Sequence, residues 1–155
     1  MDLLFVCLGN ICRSPAAEGV ARAWVAEHKL DWHLDSAGTG NWHVGDAPHA
    51  TMRKVAREAG TPIDDLKARQ VSRDDFRTFD YIVAMDSQNR RDLEALQSRY
   101  GGEAKILLLL EGQGLGTEDV PDPYSGGLGD FQESYGLIRQ GVESLLLRLQ
   151  NHRYI

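Results

Sequence analysis

Cys7 and Arg13 stand six positions apart in the stretch VCLGNICRSP, residues 6–15, and a thiol and a guanidinium at that spacing leave room for one anion-binding turn. Gly9 and Asn10 are residue types that tolerate a left-handed backbone, so the chain can curl until its amide N–H groups face a common centre. Ser14-Pro15 then opens an alanine-rich segment with helical spacing. Ser14 can cap that helix, and Pro15 fits its first turn, where a missing N–H has no intrahelical partner to lose. The amides of Leu8, Gly9, Asn10, Ile11, Cys12 and Arg13, at the positive end of a helix, make a cradle for an oxyanion such as phosphate. Arg13 adds a planar fork suited to bidentate grip on phosphate oxygens. Cys7, beneath the bound anion, is favoured as a thiolate by the same donors, and a thiolate in line with phosphorus is a nucleophile. The competing reading is an inert thiol at the end of a buried strand, the commoner fate of a lone cysteine. The apolar run before Cys7, the Gly-Asn turn and the Ser-Pro start weigh against it.

Breaking a phosphate ester also needs an acid, because the leaving oxygen departs readily only when it is protonated, an effect of about 10²- to 10⁴-fold. The strongest candidate is Asp122 in VPDPYSGG, held between Pro121 and Pro123, which stiffen its backbone. Its segment, residues 112–129, is rich in Gly, Pro and Asp and reads as a loop long enough to reach over the anion site. Asp119 and Asp130 are the neighbouring carboxylates that compete for the role, and a plain turn aspartate beside proline is the alternative for Asp122 itself.

These groups need a frame. Residues 2–7 form a continuous apolar strand of the kind covered on both faces. A helix follows over 15–29 with Ala17, Val20, Ala21, Trp24 and Val25 on one face, then an edge strand at 32–37. The pattern continues with a helix at 49–59 ended by Gly60, an irregular connection at 64–70, a short helical turn at 72–77 and a strand at 81–85. A helix at 87–100, a strand at 105–110 and a last helix at 130–150 complete it, the last with Tyr135, Ile138, Val142, Leu145, Leu146 and Leu149 inward. Strands separated by helices imply parallel pairing with right-handed crossovers, in a single α/β domain over residues 1–155. In such doubly wound sheets, with helices on both faces, ligands lie at the carboxyl ends of strands where the winding reverses, and Cys7 ends the first strand.

CLGNICRSP at 7–15, DSAGT at 35–39, ARQ at 68–70, FDYIVAMD at 79–86 and DPY at 122–124 resemble, in order and spacing, the low-molecular-weight protein tyrosine phosphatases. That resemblance covers nearly the whole chain. It implies a four-stranded sheet of order 2-1-3-4 and hydrolysis of phosphotyrosine through a cysteinyl-phosphate, with Cys7 as nucleophile and Arg13 as phosphate ligand. Asp122 in DPY is then the acid that protonates the leaving phenol and afterwards activates water. Ser14 is expected to donate to the Cys7 sulfur, with a helix cap as its plainer role. Asn10 and Ser36 resemble the family's loop-fastening network. One departure stands out: many members carry His two residues before Ala-Arg-Gln, and here the position is Leu66, which removes a polar partner and puts the rigidity of the loop in question. Cys12 resembles a partner that captures oxidised Cys7 as a disulfide. Trp42 and Tyr124 are candidates for aromatic walls that pack on a phenyl ring and set the depth of the phosphate.

The bulk properties narrow the partners. Seventeen basic against 23 acidic residues give a net charge of −6, which does not suggest nucleic acid, and Arg90-Arg91 reads as a solvated helix face. The longest apolar run, 106–110, is too short to span a membrane, and the N-terminus lacks a signal-peptide pattern. Two cysteines in one loop cannot staple a fold, so a reducing, cytoplasmic setting fits. His28, His33, His43, His49 and His152 show no metal-ligand spacing and read as structural or solvated, and the reaction calls for neither metal nor other cofactor. The expected partners are a phosphotyrosine-containing protein or peptide and inorganic phosphate as product. Two other readings share the loop. An arsenate reductase of this fold needs further cysteines downstream, and none follows Cys12. A non-catalytic phosphate-binding domain would lack Cys, Arg or acid, whereas Cys7, Arg13 and Asp122 are all present.

Overall fold

The computed structural model describes residues 1–151, so His152 lies outside the described residues. β1 (Asp2–Cys7) runs through the middle of the molecule because DLLFVC is apolar on both of its faces. The strand's alternation sends Leu3, Phe5 and Cys7 into one core cluster and Leu4 and Val6 into another. β2 (His33–Gly38), β3 (Tyr81–Ala84) and β4 (Lys105–Leu108) complete a parallel sheet of order β2-β1-β3-β4, with β2 at an edge as expected.

α1 (Arg13–Glu27), α2 (Ala50–Glu58) and α5 (Leu128–Gln150) bury their apolar faces in the cluster that contains Phe5. α3 (Asp75–Thr78) and α4 (Ser87–Tyr100) cover the opposite face, where Phe76 and Leu93 pack against Leu4, Val6 and Ile82. The chain therefore steps outward from β1 to β2 and then crosses back past β1 to β3, and the carboxyl end of β1 is the point where the winding reverses. Cys7 sits there, opposite Gly38 of β2. Gly38 is needed at that place because a Cβ would lie 2.7 Å from the Leu8 carbonyl oxygen and 3.1 Å from the Gly9 carbonyl carbon.

Some boundaries differ from the sequence reading, each for a local reason. α1 begins at Arg13 rather than at residue 15, so Ser14 is not the cap; Cys12 occupies that position and makes no side-chain capping bond. Ser14 is fully buried and its hydroxyl faces the anion loop instead. The short helical turn lies at 75–78, since the Asp75 carboxylate accepts from Ser72 N at 2.7 Å and organises the entry to it. α5 starts at Leu128, where the Asp130 carboxylate accepts from Gly127 N at 2.9 Å.

Candidate active site

Residues 8–12 link β1 to α1 as an irregular loop, and its sharpest turn is at Asn10, whose φ is 58°. Gly9 has no positive φ, contrary to expectation. Its missing side chain matters for close approach, because a Cβ there would lie 3.2 Å from the His43 ring. Asn10 N donates to Cys7 Sγ at 3.3 Å, while among the described residues no hydrogen bond occupies the N–H groups of Gly9, Ile11 and Cys12. Those amides stand at the positive end of a 15-residue helix, a polarity that favours an anion.

The loop is fastened by side chains. Asn10 Nδ2 donates to Ser14 Oγ at 2.8 Å and to Ser36 Oγ at 3.0 Å, and Asn10 Oδ1 accepts from Arg69 N at 2.9 Å. Ser14 Oγ lies 3.0 Å from Cys7 Sγ. All three predicted supporting residues thus meet behind the sulfur. Leu66 takes no part and packs against the core, yet every polar atom of the Asn10 amide has a partner, so the loop is held without a histidine at that place. The sequence reading missed how the Arg69 backbone is fixed: its guanidinium is clamped by Asp75 at 2.9 Å and Asp35 at 3.0 Å. Both Asp35 and Arg69 lie within the quoted motifs, so the signal was present.

Arg13 is 2% exposed and its fork is anchored from behind. Nη1 donates to Asp86 Oδ2 at 2.6 Å and to the Val120 carbonyl at 3.1 Å, and Nη2 lies 3.5 Å from Asp122 Oδ2. Burial works against the positive charge, but the Cys7 sulfur and the carboxylates of Asp86 and Asp122 outweigh it and raise the guanidinium pKa above its ordinary value. Asp86 closes the FDYIVAMD motif and also caps α4, its Oδ1 accepting from Asn89 N at 2.7 Å. Asp86→Ala leaves a buried cation short of its counter-ion. We expect a loss of about 1–3 kcal/mol in denaturant unfolding and a raised KM for aryl phosphates, since the fork is no longer aimed.

Asp122 reaches this site from a distant loop. Two residues upstream, Val120 is buried, its N–H donating to Met85 O at 2.9 Å while its carbonyl accepts from Arg13. Asp122 Oδ1 accepts from Tyr124 N at 3.1 Å, which orients the carboxylate. The competing carboxylates are engaged elsewhere: Asp119 accepts from Ser87 N and Oγ at 2.9 and 2.7 Å, and Asp130 caps α5. One pocket is lined by Cys7, Arg13 and Asp122 together with the loop, and neither Asp119 nor Asp130 lines it.

A family model described as low molecular weight phosphotyrosine protein phosphatase matches residues 2–154. The chain belongs to that family. It is 40% identical to the low molecular weight protein-tyrosine-phosphatase YfkJ of Bacillus subtilis, over 100% of this chain and 99% of that protein. A protein tyrosine phosphatase structure from Entamoeba histolytica is superimposable with a TM-score of 0.90 at 39% identity, covering 99% of each chain. The Drosophila arginine phosphatase structure gives a TM-score of 0.89 at 36% identity, over 97% of this chain and 98% of that one. The protein is a protein-tyrosine phosphatase of this family and, with it, a cysteine-dependent hydrolase.

The mouth of the phosphatase pocket is apolar and open. Trp42 is 68% exposed and Tyr124 51% exposed, and both line it with Leu8 and His43. His43 was read from sequence as structural or solvated. It lines the pocket, with its Nδ1 3.2 Å from the Asp46 carboxylate and its ring 6.0 Å from that of Tyr124. His49 caps α2, and its ring lies 5.9 Å from that of Tyr124, edge to face. Cys12 is buried and free, and burial first, then the nearby Cys7 and Asp122, push its thiol up to about 12, against the pull of Arg13. At neutral pH it is therefore a thiol.

Proposed function

We propose that the phosphatase hydrolyses phosphotyrosine through a phosphocysteine on Cys7. The sulfur attacks phosphorus as the ester oxygen leaves, and Asp122 gives that oxygen its proton. The resulting carboxylate then takes a proton from water as the water attacks the phosphocysteine, releasing inorganic phosphate and the Cys7 thiolate. Arg13 and the loop amides, led by the unoccupied N–H groups of Gly9, Ile11 and Cys12, hold the phosphoryl oxygens, while the Asn10 N–H stays on the sulfur; the charge that develops on those oxygens in the transition state falls on donors already oriented. Ser14 steadies the sulfur as it departs, and Asn10 and Ser36 keep the loop in shape. The observation that carries this reading is that one pocket brings together the Cys7 sulfur, unoccupied loop amides, Arg13 and Asp122, four kinds of group required in one place.

The substrate class follows from the mouth. Trp42 and Tyr124 offer flat apolar surface to an aromatic ring, whereas a phosphoserine side chain is too short to bring phosphorus down past them. The partners are then phosphotyrosine-bearing proteins or peptides. A reducing, cytoplasmic setting suits a nucleophile that must stay a free thiol, and among the described residues no helix is long and apolar enough to cross a membrane. Cys12 answers oxidation: its thiol condenses with Cys7 sulfenic acid to give a disulfide and water. We read residues 1–155 as one phosphatase domain.

The test is a millisecond quench with mass analysis of the Cys7 peptide, using phosphotyrosine, phosphoserine and phosphoarginine peptides in turn. Phosphate should appear on Cys7 fastest from phosphotyrosine. Faster labelling from phosphoarginine would move the substrate class to the chemistry named for the Drosophila relative, and no label on Cys7 would remove the mechanism.

A further inference from the structure

Glu18 is buried in α1, one turn beyond Ser14, with 5% of its surface exposed, and the chemistry above does not use it. Its Oε1 accepts from Ser36 Oγ at 2.7 Å. A serine has a single hydroxyl hydrogen, so Ser36, having given it to Glu18, meets Asn10 Nδ2 at 3.0 Å as an acceptor. That selects which end of the Asn10 amide faces the serines, in agreement with Asn10 Oδ1 accepting from Arg69 N at 2.9 Å. The other amide hydrogen of Asn10 goes to Ser14 Oγ at 2.8 Å. Ser14 is an acceptor there, and its own hydrogen is left for Cys7 Sγ at 3.0 Å, with the Ala37 carbonyl, at 3.3 Å, as the weaker alternative.

We propose that Glu18 is a positioning residue for the reaction: as the terminal acceptor of the Ser36–Asn10–Ser14 chain, it sets the direction of every hydrogen so that the Ser14 hydroxyl donates to the Cys7 sulfur. Without that acceptor, the Ser36 hydroxyl is released to point at Asn10. The amide is then free to turn, and Ser14 loses the donor that made it give its hydrogen to sulfur. Burial raises the Glu18 carboxyl above the ordinary carboxylate range, opposed by the Ser36 hydrogen bond. Asp35 of β2 and Asp65 of the 64–70 connection add to the rise, and Arg22 of α1 opposes it. In either protonation state one oxygen remains to accept from Ser36, so the direction of the chain does not depend on the carboxyl's charge.

The inference rests on Cys7 as nucleophile, and its test separates the two. Alkylation of Cys7 by iodoacetamide is followed against pH in the full chain, with fragmentation distinguishing Cys7 from Cys12. The proteins are wild type, Glu18→Leu, Glu18→Gln and Ser36→Ala, with thermal melts as fold controls. In Glu18→Leu and Ser36→Ala the alkylation midpoint should rise by about one pH unit, with about a tenfold loss of kcat/KM below the midpoint. Glu18→Gln, which keeps an acceptor oxygen, should recover most of that shift. Unchanged midpoints in folded variants would overturn the inference even if turnover fell, and equal shifts in the Gln and Leu variants would overturn it by assigning the effect to charge. If Glu18→Leu does not fold, Glu18→Met, which likewise lacks an acceptor oxygen, takes its place. A wild-type Cys7 that alkylates like a free thiol would remove the nucleophile reading itself, and this inference with it.

Discussion

Cys7→Ser is expected to lower turnover of aryl phosphates by about 10⁴-fold or more, while phosphate and vanadate still bind. A serine hydroxyl fits the same space at the end of β1, but the groups bonded at that place, Ser14 Oγ and Asn10 N, are not bases that could take its proton. The lining residues besides Cys7 and Arg13 are the loop, Trp42, His43, Asp122 and Tyr124, and the carboxylate among them faces the leaving group in the proposed reaction. Arg13 keeps Asp86 and Val120 as anchors, so its fork stays in place, and the amides of Gly9, Ile11 and Cys12 remain open. Binding should therefore be retained, as titration calorimetry with phosphate would show. Substantial turnover in the variant would mean that another group attacks phosphorus.

Asp122→Asn should divide substrates by leaving group. For phenyl phosphate, whose phenoxide leaves poorly, kcat should fall by about 10²- to 10⁴-fold; for p-nitrophenyl phosphate, whose phenoxide leaves well unprotonated, the loss in the first step should be small. The amide cannot donate as an acid, yet it is close in shape and can keep the hydrogen bond from Tyr124 N, so pocket geometry is preserved. The measurement is the slope of log kcat/KM against leaving-group pKa across substituted phenyl phosphates, which should steepen. Asp119→Asn and Asp130→Asn are the controls. Asp119 holds Ser87 at the start of α4 and Asp130 holds Gly127 at the start of α5, so their loss should appear in melting temperature and not in that slope. A steepened slope in either control with none in Asp122→Asn would reassign the acid.

Much of the frame was readable because it depends on short-range pattern. The alternation of strand and helix, the edge position of β2, the inward residues of α5 and the tight loop at the end of β1 all follow from local periodicity and from where Gly, Asn and Pro can sit. The helix starts two residues before the place that Ser14 as a cap implies, because a serine's local preference is overridden by partners at the end of β1 and in the loop. Leu66 was read as a gap in the network. Residue type alone could not show that Arg69 N fills the acceptor side of Asn10, since a backbone donor leaves no mark in composition.

The chain's order of residues determined where the Cys7 thiol, the loop and the Arg13 fork stand, because Cys7 through Arg13 lie within one turn whose shape is set by its own φ/ψ preferences and by the helix that follows. What only the tertiary structure decided is how that fork and that sulfur are held. Arg13 finds Asp86 across 73 positions and the Val120 carbonyl across 107, and Ser36 finds Glu18 across the β2–α1 packing. Those pairings exist because sheet register and helix docking bring the groups within hydrogen-bond reach. Long-range contacts of that kind depend on the whole core being assembled, so no stretch of residues read by itself contains them.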